Sequence, residues 1–137
     1  MTDSTKSSLL LAGRFLLALM FILAGFGKLA NADGTAQFIA SGGLPNLPIL
    51  ALLVGLFEVL AGAALIVGFK ARWAALALAA FTVVATLMFH AYWSKPADQQ
   101  YLQQLMFLKN LAVVGGMLAV AAMGAGAWSV DARSGRA

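Results

Sequence analysis

Four apolar stretches of about 20 residues each, Leu9–Leu29, Leu47–Phe69, Trp73–Trp93 and Leu105–Trp128, occupy most of this 137-residue chain. A helix of that length, rising 1.5 Å per residue, crosses a hydrocarbon layer of about 30 Å. A soluble domain of this size could not hide so much apolar surface: 62% of the residues are hydrophobic, against about 45–50% in ordinary domains. The bilayer is the solvent that removes the conflict. The expected fold is therefore an all-α membrane protein, an antiparallel four-transmembrane-helix bundle. Residues 1–8 read as an N-terminal tail, 9–128 as the four-helix membrane domain and 129–137 as a C-terminal tail.

The links between spans carry turn chemistry. Ala30–Asn46, with Gly42, Gly43 and Pro45, and the polar run Ser94–Gln104 read as loops, and Lys70-Ala71-Arg72 is a link too short for anything but an antiparallel pair. Thr35–Ser41 has the pattern of a short interfacial helix. Orientation follows from basic residues. Lys6, Arg14, Lys70, Arg72, Arg133 and Arg136 collect on one side, and Lys28, Lys95 and Lys109 on the other, which predicts both termini in the cytoplasm. Lys6, the first apolar run and Ala30-Asn31-Ala32 together resemble a secretory signal. The run exceeds the 7–15 residues of a signal core and contains Arg14, so it reads as a retained span.

Composition removes several function classes. With no cysteine, disulfide scaffolds, thiol chemistry, iron–sulfur clusters and thiolate zinc sites fall away. A single histidine, His90, excludes a multi-histidine metal or haem site, so no metal is expected. The nine Lys and Arg residues are scattered without a basic stripe, which argues against nucleic acid as a partner.

Polar residues inside the spans are the informative ones, because in lipid they are costly unless partnered. Glu58 lies at the centre of its span, with Gly55 and Gly62 on the same face. It reads either as a carboxylate that pins helices together or as a proton- or ligand-binding group. Arg14 and Lys28 share one face of the first span. Snorkelling to the headgroups is the expected behaviour of Lys28, whereas Arg14 either snorkels or pairs with Glu58, for which a guanidinium is suited. Thr82, Thr86 and His90 form a stripe on the third span; the threonines are expected to bond their own helix, and His90 is the one imidazole of the chain. On the fourth span, Lys109 either snorkels or faces inward, and the short Asn110 is expected to bond across helices. Taken by depth, Lys28, His90, Lys109 and Asn110 fall in the outer half with Glu58 beneath them. A donor-rich pocket above an apolar shaft is the expectation, fitted to a quinone, a small anion or a phospholipid headgroup.

Several segments together resemble the DoxX family of small four-span membrane proteins. They are Gly13-Arg14-Phe15, Ala24-Gly25-Phe26-Gly27-Lys28-Leu29, Gly55-Leu56-Phe57-Glu58-Val59-Leu60-Ala61-Gly62, Phe89-His90-Ala91-Tyr92-Trp93, Phe107-Leu108-Lys109-Asn110-Leu111-Ala112 and the closing Gly124–Asp131. The resemblance implies a bacterial inner-membrane location. It also implies a redox connection, since the family is named for a membrane subunit of a thiosulfate:quinone oxidoreductase and other members are linked with oxidant defence. Glu58, His90, Lys109 and Asn110 are the pattern residues it carries over, with Arg14 and Lys28 behind them. No catalytic residue and no covalent cofactor are implied. An electron-transfer role would therefore need a redox protein subunit as partner and a quinone supplied from outside the chain. The alternatives are a non-catalytic scaffold or lipid-binding protein and, ranked last, a proton-coupled small transporter.

Overall fold

The computed structural model describes residues 2–135, which form helices α1 (Asp3–Ala30), α2 (Ala32–Ser41), α3 (Pro48–Val67), α4 (Ala71–Phe89), α5 (Ala97–Met123) and α6 (Val130–Arg133), with a 3-10 turn at Tyr92–Ser94. Four segments, Asp3–Ala30, Pro48–Val67, Ala71–Ser94 and Ala97–Met123, are long and apolar enough to cross a membrane. No strand occurs among the described residues.

Helix ends follow local chemistry. The Thr2 hydroxyl accepts from the Thr5 amide and starts α1 inside the stretch expected to be a tail. The Asn31 side chain accepts from the Gly34 amide, so the first loop becomes α2, longer than the Thr35–Ser41 segment expected. Pro48 opens α3, where its fixed φ and missing N–H suit a first turn. Gly68, in the left-handed region at φ 71°, closes α3, and the Phe69 amide donates back to the Ala64 carbonyl.

The fourth long helix differs in extent from the fourth apolar stretch. Helix α5 starts at Ala97 and ends at Met123, whereas the sequence reading placed the span at Leu105–Trp128. Ala97–Gln104 is polar yet made of good helix formers, so the helix runs on beyond the apolar layer. At the other end Gly124, at φ 82°, stops the helix before Trp128. The following Gly124–Asp131 folds back on the bundle, where Ser129 and Asp131 are buried. Arg136, counted in the charge balance, lies outside the described residues.

Helix α1 packs most extensively on α3, α4 on α5, and α2 on α3. The main core joins Ala18, Phe21, Leu65, Leu78, Met117 and Val120. Glycines on the α1–α3 seam bring the two backbones together: a Cβ at Gly25 would stand 2.6 Å from the Gly55 carbonyl oxygen, and one at Gly62 would stand 3.3 Å from the Ala18 carbonyl oxygen. Close van der Waals packing of this kind is what associates helices in lipid. Gly25→Ala is therefore expected to cost about 1–3 kcal/mol by overpacking, because the obstructing atom is backbone. Gly27→Ala, with nothing within 4 Å, serves as the neutral control. Thermal melting in detergent compares the two; equal melting would mean that the seam is looser than described.

Candidate functional site

The register of α1 on α3 decides which charges meet. Gly25 lies against Gly55, and its would-be Cβ is 3.1 Å from Glu58 Cβ, so the next turn of α1 brings Lys28 beside that carboxylate. Lys28 Nζ stands 2.7 Å from Glu58 Oε2, with the two side chains 26% and 5% exposed. This corrects two expectations. Lys28 turns inward where snorkelling was expected, and Arg14 does not pair with Glu58. Fourteen residues separate Arg14 from Lys28, about 21 Å along a helix, which places the guanidinium beside the other end of α3.

Beside the ion pair lies a cavity of about 380 Å³, lined by all four membrane helices, α1, α3, α4 and α5, together with α2. Its wall is mainly apolar, with Phe21, Val54, Phe81 and Met88 among the contributors. Lys28, Glu58, Thr82, His90, Lys109 and Asn110 supply the polar part. Five of the six residues singled out from sequence thus line one space, and Arg14 alone is elsewhere.

Hydrogen bonds define what the polar groups still offer. The Thr82 hydroxyl donates to the Leu78 carbonyl at 2.7 Å and the Thr86 hydroxyl to the Thr82 carbonyl at 2.6 Å, the backbone bonding expected of membrane threonines. Asn110 Nδ2 donates to Thr86 Oγ1 at 2.9 Å, tying α5 to α4 across the bundle. His90, at the end of α4, pairs through Nδ1 with Gln103 Oε1 at 2.8 Å; since that oxygen only accepts, Nδ1 carries the proton and Nε2 is left as an acceptor in the neutral ring. The pocket is consequently less donor-rich than the sequence suggested, because Asn110 and His90 each commit an N–H to a neighbour. The ammonium groups of Lys28 and Lys109 are its strongest donors.

Sequence reasoning missed the cover of this cavity. Phe38 and Ile39 of α2 and Leu44 line it, and the Phe38 ring stacks on Phe89 with centroids 4.7 Å apart. The signal available was the apolar pair Phe38-Ile39 in the short interfacial helix. Reading that helix as a connector hid its role as a wall.

The opposite end of the bundle is built by capping. Arg14, with no solvent exposure, donates through Nη1 to the carbonyls of Leu65 and Ile66, each at 3.1 Å, and through Nη2 to that of Trp128 at 2.7 Å. They are the last carbonyls of α3, of which that of Leu65 also accepts from the Gly68 amide, and one in the returning segment; a cation at a helix C-terminus is favoured by the helix dipole. Asp131 does the converse for α4, accepting from the amides of Lys70 and Ala71 at 2.8 Å each. Arg72 Nη1 closes α5 through the carbonyls of Ala121 and Ala122, at 2.7 and 2.6 Å. These contacts are structural, and they account for Arg14 without any ligand.

The sequence model of the DoxX family matches residues 9–91, more than half of the chain. The chain belongs to the DoxX family. Two bacterial relatives are similar to it over nearly their full lengths. Inner membrane protein YqjF of Escherichia coli is 37% identical over 123 residues, covering 88% of this chain and 88% of that protein. Inner membrane protein YphA of the same organism is 34% identical over 130 residues, covering 95% of this chain and 93% of that protein. A longer eukaryotic protein, the Surfeit locus protein 4 homolog of Schizosaccharomyces pombe, is 32% identical over 123 residues, which are 88% of this chain but 36% of that protein. No solved structure matches the chain. This DoxX protein is accordingly an integral, multi-pass inner-membrane protein, with four helices able to span the bilayer. Lys28, Glu58 and His90 of the cavity lie within the matched stretch, whereas Lys109 and Asn110 lie beyond it.

Proposed function

We propose that this DoxX protein holds a small amphipathic molecule in the cavity of the outer half of its bundle. The body of the ligand rests on the apolar wall, and an electron-rich oxygen head meets the ammonium groups of Lys28 and Lys109. One observation carries the reading: the half-buried Lys28 and buried Glu58 pair beside a mainly apolar space of about 380 Å³, a size and character suited to a small ligand. Polar groups at such depth are costly unless they serve function or packing, and packing alone is served at the other end by caps that leave only a small recess.

The topology that goes with this reading is antiparallel, with both termini cytoplasmic. The close approaches of Gly25 to Gly55 and of Ala18 to Gly62 support the antiparallel pairing of α1 and α3, and the basic residues near the α3–α4 link support the orientation. The cavity then faces the periplasmic half of the membrane. Quinone is the ligand class we place first, because carbonyl oxygens on an apolar ring accept from ammonium donors and an isoprenoid tail fits the wall. In that role the chain is an accessory subunit of a membrane oxidoreductase, with redox centres in a partner protein.

The test is solvent extraction of protein purified in mild detergent, followed by mass spectrometry of the apolar extract. A molecule enriched over the bulk membrane extract is expected, with quinone as the first identity. Ala85→Trp, which fills the cavity from α4, is expected to lower its amount about tenfold, the effect of ~1.4 kcal/mol and within the range for overpacking. An extract indistinguishable from bulk membrane, unchanged by Ala85→Trp, overturns the reading. Enrichment of a phospholipid in place of quinone retains the cavity as a ligand site and removes the oxidoreductase role.

A further inference from the structure

At the end of the bundle away from the cavity, a second recess of about 210 Å³ is lined by Lys70, Arg72, Trp73 and Asp131. We propose that it binds the phosphodiester headgroup of an acidic phospholipid. The recess is built on a fixed frame. Asp131 holds the α3–α4 link by accepting from the Lys70 and Ala71 amides, and the Asp131 amide donates to the Gly68 carbonyl at 2.9 Å. Lys70 is held in the left-handed region at φ 46°, the one such non-glycine position among the described residues. Arg72 is anchored through Nη1 to the end of α5, which leaves its other N–H groups for an acceptor.

Charge identifies the ligand. The ion pair between Lys28 and Glu58 is the one ion pair among the described residues, so neither Lys70 nor Arg72 is neutralised by a direct carboxylate contact. Lys70 Nζ instead lies over the Phe69 ring, 5.8 Å from its centroid. Both Asp131 oxygens are occupied by backbone amides, and the three charges lining the recess sum to one positive charge. A phosphodiester carries one negative charge and presents the oxygens that guanidinium and ammonium groups bind best.

The apolar flank identifies the source as a lipid. Trp73 is 73% exposed and Phe69 43% exposed beside the recess. A free phosphate gains nothing from these surfaces, whereas acyl chains below a headgroup would lie along them, and exposed Trp marks the interfacial level of a membrane. Basic groups at that level attract anionic lipids.

Native mass spectrometry of the full chain in uncharged detergent tests this, with phosphatidylglycerol titrated against phosphatidylcholine of the same acyl chains. Preferential adducts of phosphatidylglycerol are expected. Lys70→Asn is expected to weaken them about fivefold, the effect of one basic residue at an anionic surface, with phosphatidylcholine unaffected and Lys70→Arg restoring the preference. The melting temperature of Lys70→Asn in the same detergent reports its fold, and Lys70→Gly, which takes a positive φ without strain, replaces it if that fold fails. Equal adducts for the two lipids in the parent chain overturn the proposal. So does an undiminished preference in both the Asn and Gly variants, or displacement of the lipid by equimolar glycerol 3-phosphate, which would mark a soluble anion as the ligand.

Discussion

Lys28→Met is expected to lower the melting temperature of the detergent-solubilised protein by ~10 °C or more, and adding Glu58→Gln is expected to restore most of the loss. Glu58 is nearly enclosed and, among the described residues, has Lys28 as its one charge partner, 2.7 Å away. Removing one member of a buried pair leaves an uncompensated charge and costs about 3–5 kcal/mol, and for a chain of this length each kcal/mol shifts melting by roughly 3 °C. Replacing both members removes the penalty, so the double variant is expected to melt well above the sum of the single effects. Additive losses in the cycle, measured by thermal melting of the four proteins, would contradict the pairing. The same cycle distinguishes stability from ligand retention. The double variant is expected to regain its fold while still losing any bound molecule whose head requires the lysine.

Arg14→Leu is expected to be at least as damaging, and for an unrelated reason. The guanidinium serves three backbone carbonyls from a fully buried position. Hydrogen bonds to a charged group are each worth about 1.5–3 kcal/mol, and the Ile66 and Trp128 carbonyls would lose the guanidinium as their donor inside the bundle. A loss of about 4 kcal/mol or more is expected, together with new protease cleavage between Gly124 and Asp131, the segment that Trp128 anchors to Arg14. Arg14→Lys keeps the charge but lacks the planar fork that reaches α3 and Trp128 together, so only partial recovery is expected. Wild-type resistance to cleavage in Arg14→Leu would show that the returning segment is held by other contacts.

These two variants also mark where sequence alone could and could not reach. The apolar runs made four membrane helices legible, because length and hydropathy decide that question without tertiary information. Glu58, His90, Lys109, Asn110 and Lys28 were legible as a group by depth, since depth in the membrane is readable from span position, although the inward turn of Lys28 was not. Nor was their pairing. The sequence offers Arg14 as the candidate partner of Glu58 and Lys28 as a snorkelling residue, and which cation meets Glu58 rests on the α1–α3 register, set by Gly25 meeting Gly55. A register is a property of two helices and is written in neither one. For the same reason the Gly124–Asp131 segment read as span and tail: its partners, Arg14 and the Lys70 and Ala71 amides, are distant in sequence. The extension of α5 to Ala97 was hidden because hydropathy reports the apolar layer, whereas a helix continues for as long as its residues favour it.

The cavity beside Glu58 is the claim on which the functional reading stands, and a high-resolution density map of the protein purified from its own membrane tests it most directly. An elongated, non-protein density along Phe21, Val54 and Met88, with its polar end within hydrogen-bonding distance of Lys28 or Lys109, is the expected result. A map in which Phe38 and Phe89 collapse into that space, or in which only solvent occupies it, would contradict the account.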